Sequence, residues 1–253
     1  MGGERMVVVR YVRAGVAACL VASGLPALAV SGGAPAPDDP LARSSVMVLS
    51  SRGGVCSGVV VGRDAVLTAG HCAAPGAEHR VHFRDEADAP VLVPLAAAAV
   101  HPGYDPGAVA GRRRSIDLAL LRTATPLPPR FAAASLAESA PGAGAETRLG
   151  GYGVASPGDA RSSGTFRILP LPVVEPYGPS RILIWLRGAR AADGACTGDS
   201  GGPIARDGRV VAVTSWASGR GGCGGVSQGV LVGPQRSWID WTLAGWGAAA
   251  RWE

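Results

Sequence analysis

"CTGDSGGP", Cys196 to Pro203, is the stretch on which the reading of this chain turns. A serine hydroxyl is a weak nucleophile at neutral pH and reacts only when a neighbouring base takes its proton. The attack places negative charge on a carbonyl oxygen, which needs hydrogen-bond donors already in position. The glycines around Ser200 serve that second need. Without Cβ atoms, backbone N–H groups can converge and a substrate backbone can come close. The N–H groups of Gly198 and Ser200 are therefore the candidate oxyanion donors. Ordinary glycine-rich turns share the bare pattern, so the base has to be found elsewhere in the chain.

The chain has four histidines, His71, His79, His82 and His101, and all precede Ser200. An α/β-hydrolase elbow carries the same Gly-x-Ser-x-Gly but takes its histidine after the serine. That arrangement is excluded by chain order. An acid–His–Ser order would need an acid ahead of His71, the nearest being Asp64, together with a parallel α/β sheet. The Gly- and Pro-rich strand pattern opposes such a sheet. The order His, Asp, Ser remains. "TAGHC" (68–72), "SIDLALL" (115–121) and the serine segment carry it, through His71, Asp117 and Ser200.

Hydrophobic residues make up 47% of the 253 and charged residues 17%, enough for a sizeable core and too little charge for a disordered chain. With Gly 38 and Pro 20, short strands and frequent turns are expected rather than long helices. Runs such as "SVMVLS" (45–50), "SGVVVG" (57–62), "IDLALL" (116–121) and "GRVVAVTSW" (208–216) fit that expectation. Only 235–244 reads as a helix, with Trp238, Trp241 and Thr242 on one face. The formal charge of +5 comes entirely from arginine, since the chain has no lysine. Arg112, Arg113 and Arg114 have no interleaved aromatic residues, so a solvated surface run is expected and no nucleic-acid site.

Residues 1–29 read as a signal peptide. Arg5, Arg10 and Arg13 precede an apolar run at 14–25, then Pro26 and the Ala27-Leu28-Ala29 cleavage pattern. The run is too short to span a bilayer comfortably. "VAAC" before Cys19 loosely resembles a lipidation box, but Arg13 stands too close to leave an apolar core ahead of it. Cleavage after Ala29 removes Cys19 and leaves Cys56, Cys72, Cys196 and Cys223. In an exported protein these are two disulfides, with three possible pairings. No Cys-x-x-Cys or His-x-x-x-His spacing supports a metal.

With these segments in view, the chain resembles the chymotrypsin-like (trypsin-fold) serine proteases. "TAGHC", "DLALL" and "GDSGGP" match the three signature segments of that family in order, and the likeness runs from Val30 through the terminal helix near Trp238. The resemblance implies two six-stranded antiparallel β-barrels packed face to face, with a C-terminal α-helix. It puts a protease domain at 30–253, with barrels at about 41–124 and 131–234 and the helix at about 235–245. It implies a secreted or periplasmic serine endopeptidase acting on protein or peptide substrates through an acyl-enzyme, as a monomer without cofactor or metal. No nucleic acid is expected as a partner, and no membrane after signal cleavage. An inactive binding module on the same fold is the alternative, and an esterase on the same scaffold is another. Loss of a triad residue usually marks the inactive members, and here all three are present.

By that resemblance His71 is general base and then general acid. Asp117, costly in its apolar run unless hydrogen-bonded, fixes the His71 tautomer and stabilises the imidazolium. The other histidines read as loop or surface residues. Cys56 pairs with Cys72, and Cys196 with Cys223. Gly194 is the floor of the substrate pocket, Ala217 and Gly229 are its walls, Ser215 backs Asp117, and Trp216 lines the groove. Gly194 puts no acid on the floor, so a small to medium apolar P1 residue is expected; a one-residue shift would instead bring in Asp193 and select Arg or Lys. Ala195 and Thr214 lack the features of glutamate-cleaving relatives. Tyr152 stands where the family often has tryptophan. Asp85, Glu86 and Asp88 lie near a loop that binds calcium in some relatives but read as solvated acids. Finally, Val30 is the expected new N-terminus, whose amine pairs with Asp199; Ser31 departs from the usual apolar second residue.

Overall fold

Short runs of valine and leucine, alternating with polar residues, build the first barrel. A computed structural model describes residues 1–3, 30–108, 111 and 113–253. The signal-like segment, its cleavage pattern, Cys19 and Arg112 lie outside the described residues. Six strands form the first barrel: β1 Ser45–Ser50, β2 Val55–Gly62, β3 Ala65–Thr68, β4 His79–Arg84, β5 Pro90–Val100 and β6 Ala119–Thr123. They pair in the closed order β1-β2-β3-β6-β5-β4. Side chains on alternate residues face inward, so Val46, Val48, Val60, Val66, Val81 and Leu121 fill the interior.

The second barrel uses β7 Glu146–Gly151, β8 Arg167–Val174, β9 Leu183–Arg187, β10 Pro203–Arg206, β11 Arg209–Ala217 and β12 Val226–Leu231. The order is β7-β8-β9-β12-β11-β10, and β10 pairs back onto β7 to close the ring. Leu149, Leu171, Ile184, Leu186, Ile204 and Leu231 occupy its core. All pairs within both rings are antiparallel.

A separate apolar cluster joins the barrels. Leu67, Leu118 and Leu120 from the first meet Val213 and Val230 from the second, and Ile239 and Leu243 of the C-terminal helix Arg236–Gly245 close over them. Closing each sheet removes its edges, and this shared cluster fixes the two rings against each other. Among the described residues no helix is long and apolar enough to cross a membrane.

Two local expectations differ from the structure. The strand expected from Ile116 begins at Ala119, because Asp117 leaves the ladder to bond His71. The helix buries Ile239, Thr242 and Leu243, whereas Trp241 is 78% exposed. The i, i+4 pair Ile239 and Leu243 sets the phase against the barrel interface, and the indole at 241 is turned outward.

Of the possible cysteine pairings, the structure forms Cys56–Cys72 and Cys196–Cys223. The first spans 16 residues, and closing a loop of that size stabilises a fold by about 3 kcal/mol. In a Ser200→Ala background, which prevents self-digestion, replacing Cys56 and Cys72 by Ala is expected to lower the urea-unfolding free energy by about that amount. An unchanged midpoint would show the bridge to be dispensable.

Candidate active site

His71 lies on a single helical turn, Gly70–Ala73, directly after β3 and next to the bridged Cys72. Its backbone N–H donates to Asp117 Oδ1 at 2.9 Å, and its Nδ1 is 2.8 Å from Oδ2. Ser215 Oγ donates to the same Oδ2 at 2.6 Å. Gly70 leaves the room for this: a Cβ there would lie 3.1 Å from Asp117 Oδ1. Burial pushes the Asp117 carboxyl upward, but the hydrogen bonds and charge of His71 and the bond from Ser215 outweigh it and hold the pKa below the usual value. Asp117 is thus a buried carboxylate at neutral pH. An ionised carboxylate only accepts, so Nδ1 carries a hydrogen toward Asp117 and Nε2 is the ring nitrogen left for other partners. The ring is 39% exposed.

Ser200 lines the same cavity as His71, a cleft of about 1160 Å³. Its hydroxyl donates to the Ser215 carbonyl at 3.1 Å. The peptide groups beside it are oriented by their carbonyls. The Thr197 carbonyl accepts from Val154 N–H at 2.8 Å, and the Asp199 carbonyl from Gly202 N–H at 2.9 Å. In a trans peptide the N–H points opposite to the C=O, so the N–H groups of Gly198 and Ser200 are turned the other way. Neither donates to a protein acceptor among the described residues. Gly198 has φ +97°, and a Cβ there would sit 2.8 Å from Gly153 Cα, so any other residue would displace the loop. Ser57, which the sequence reading did not single out, accepts from Tyr152 N–H at 2.9 Å and donates to the Gly198 carbonyl at 2.9 Å.

The pocket residues separate into two groups. Ala195, Ser215, Trp216 and Ala217 line the cavity. Asp193 is buried, but its carboxylate accepts from Arg190 Nε at 2.8 Å and from the Arg190 N–H at 3.1 Å. It is spent on that arginine and does not line the cleft. Gly194 N–H donates to the Ser31 carbonyl at 2.9 Å.

Gly229 pairs with Thr214 and lies against the barrel core, where a Cβ would meet Ile204 Cδ1 at 2.5 Å. A register shift between Thr214 and Trp216 sets Ala217 opposite Ser227 and Trp216 opposite Gln228. A one-residue bulge exchanges which side chains face which side. Hence Ser227, not Gly229, stands across from Ala217, with its Oγ accepting from Ala195 N–H at 2.8 Å. Gln228 lines the cavity and accepts from Trp185 Nε1 at 2.9 Å. No one-dimensional signal marks Ser227 or Gln228, because the bulge exists only in the paired strands.

Val30 is fully buried in the second-barrel core, in the same apolar cluster as Ala195, and Ser31 forms an isolated bridge with Gly194. Asp199 is also fully buried. It accepts from Gly153 N–H at 2.9 Å and Cys196 N–H at 2.8 Å. Burial nevertheless pushes its pKa up to about 7, against the pull of those two donors and of Arg167.

Cys56, His71 and Cys72 bring three potential metal donors within 4.8 Å. Both sulfurs are joined in the disulfide, so neither offers the thiolate that a metal takes, and the set does not fit an ion.

Comparison with known proteins agrees with this fold. The sequence profile described as Trypsin matches residues 30–239. The chain is 32% identical to human kallikrein-8 over 174 residues, covering 65% of this chain and 67% of that protein. It is 30% identical to trypsin zeta of Drosophila melanogaster over 220 residues, covering 75% and 74%. The fold superposes on mouse neuropsin, a serine protease expressed in the limbic system of the brain, with a TM-score of 0.69 at 23% identity, covering 83% of this chain and 98% of that one. The chain belongs to the trypsin family.

Proposed function

We propose that the chain is a serine endopeptidase in which Ser200 is the nucleophile, His71 the base and then the acid, and Asp117 the group that holds and stabilises His71. The observation that carries this is the pair of unspent N–H groups at Gly198 and Ser200, beside a histidine already fixed by a buried carboxylate. Ser200 Oγ attacks the scissile carbonyl while His71 Nε2 takes its proton. The two N–H groups receive the oxyanion, and His71 returns the proton to the leaving amine. Water then repeats the sequence on the acyl-enzyme. A cleft of about 1160 Å³ suits several residues of an extended chain better than a small ester. Treating the protein with a phosphonofluoridate is expected to add one adduct, located on Ser200. A wild type that stays unlabelled excludes the enzyme reading.

Primary specificity follows from the walls. Ala195 and Ala217 line the cavity, and Asp193 is committed to Arg190. A guanidinium brought into such a pocket loses its hydration and finds no carboxylate. Peptide substrates with Ala or Val at P1 are expected to be cleaved about 100-fold faster than those with Arg. A chromogenic peptide panel reads this, and fastest cleavage after Arg overturns it.

Two further readings rest on the same site. Cleavage after Ala29 generates an amine at Val30 that pairs with Asp199 and orders the neighbouring Cys196–Ser200 loop. Export agrees with the two disulfides, which persist in oxidising compartments, and with the signal-like start of the chain.

A further inference from the structure

A second cavity, of about 570 Å³, opens between the barrels and shares no lining residue with the catalytic cleft. Its inner surface is apolar, with Met47, Phe83 and Phe166 buried against it. Its charged groups are all cationic or potentially so: Arg43, Arg84, Arg130 and His82 line it, and no carboxylate does. Arg84 engages Asp88, but neither Arg43 nor Arg130 has a carboxylate partner among the described residues. The Arg130 guanidinium is held in place rather than free. It lies over the Phe83 and Phe131 rings at 5.3 and 4.9 Å and donates to the Arg84 carbonyl.

His82 uses Nδ1 on the Val91 carbonyl at 2.8 Å, which leaves Nε2 uncommitted. Tyr152 donates its hydroxyl to the Ser45 carbonyl at 3.1 Å and packs edge-on against Phe166. Burial pushes its phenol up to about 12, so it adds no negative charge.

We propose that this inter-barrel cavity binds a small amphipathic anion, with one carboxylate-like head at Arg43 and Arg130 and an aliphatic or aromatic body against Met47, Phe83 and Phe166. The volume falls in the range of small-ligand sites. Arginine forks match a planar carboxylate, and hydrogen bonds to charged groups are the stronger kind. Arg43 and Arg130 stand at the exposed mouth and the apolar side chains lie inside, so a purely apolar ligand would make no use of the two guanidiniums, and a bare inorganic anion would leave the buried aromatic surface unused. Tyr152 forms part of the wall, and its backbone N–H bonds Ser57. The occupied cavity therefore lies one residue from a group that holds the Gly198 loop.

The test is calorimetric titration of full-length Ser200→Ala protein with octanoate and 4-phenylbutyrate. The corresponding neutral amides separate the head from the body, and acetate separates the body from the head. Both acids are expected to bind, both amides about tenfold more weakly, and acetate not measurably. Arg130→Gln and Arg43→Gln are each expected to weaken octanoate binding about tenfold; Arg43→Gln leaves the unfolding temperature unchanged, whereas Arg130→Gln also lowers it by losing the ring and carbonyl contacts. The two variants guard against local misfolding at either one. Equal affinity for acids and amides, unchanged binding in both arginine variants, or no binding of either acid at millimolar concentration overturns the proposal.

Discussion

Replacing Ser200 by Ala is expected to lower the rate of peptide-bond hydrolysis by about 10⁶-fold, because no other group then forms the acyl-enzyme. The fold is expected to persist. The Ser200 hydroxyl makes one hydrogen bond, to the Ser215 carbonyl, worth about 1 kcal/mol. His71→Ala is expected to cost nearly as much as Ser200→Ala, and the double variant little more, since the two act as one unit. Asp117→Asn is expected to cost about 10⁴-fold. An amide at 117 presents a donor where His71 Nδ1 already donates, which drives the ring toward the wrong tautomer and removes the negative charge beneath the imidazolium. It also upsets the bond from Ser215, which now reaches Oδ2 at 2.6 Å. Initial rates on a chromogenic peptide, normalised by active-site titration, read all three. A Ser200→Ala rate within tenfold of wild type sinks the nucleophile assignment.

The second large effect concerns the first residue of the working chain. Asp199 is fully buried, and burial pushes its pKa from 3.8 to about 7. An acid whose folded pKa is raised stabilises least when ionised. Relative to low pH, stability is lost as pH rises from about 4 through 7, by on the order of 4 kcal/mol at about 1.4 kcal/mol per pH unit. A chain still joined through Ala29 carries this penalty, because residue 30 is then an amide. In the proposed activation, a chain beginning at Val30 brings its ammonium to Asp199, and that opposite charge is expected to favour the carboxylate and offset the penalty.

Between pH 5 and 8, urea unfolding of Ser200→Ala protein is therefore expected to show falling stability for the chain extended past Val30, and none of that loss for the chain starting there. In active protein, an added residue before Val30, or Asp199→Asn, is expected to lower kcat/KM by at least about 100-fold, the scale of a lost oxyanion donor. Amino-terminal sequencing of the active protein decides the matter, and any start other than Val30 refutes it.

Much of the site was legible because its chemistry has an order. A histidine ahead of an aspartate ahead of a serine excluded the hydrolase elbow, and alternating valines announced strands. The pairing Cys56–Cys72 followed from resemblance, not from cysteine number, which left other pairings open. Gly229 was assigned to the pocket wall by resemblance, whereas the bulge in β11, which leaves no trace in one dimension, sets Ser227 across from Ala217. Ser57 escaped notice for a similar reason. A serine at the start of an apolar run looks like any other, and its partners Tyr152 and Gly198 are 95 and 141 residues away. Periodicity put Trp238, Trp241 and Thr242 on one face but did not say which edge of that stripe meets the core, and packing buries Thr242 while leaving Trp241 exposed.

By itself, then, the sequence determined which residue types were available and how each strand divides into an inner and an outer face, since both are local properties of the chain. The tertiary structure decided what meets what. It brought Asp117 to His71 across 46 residues and Ser215 to Asp117 across 98. It also bound the Thr197 and Asp199 carbonyls, so that the N–H groups of Gly198 and Ser200, two residues lining one cleft, face away from those partners. Such pairings depend on strand register, bulges and the closing of two barrels over a shared apolar cluster, and those are settled by packing between segments far apart in the chain.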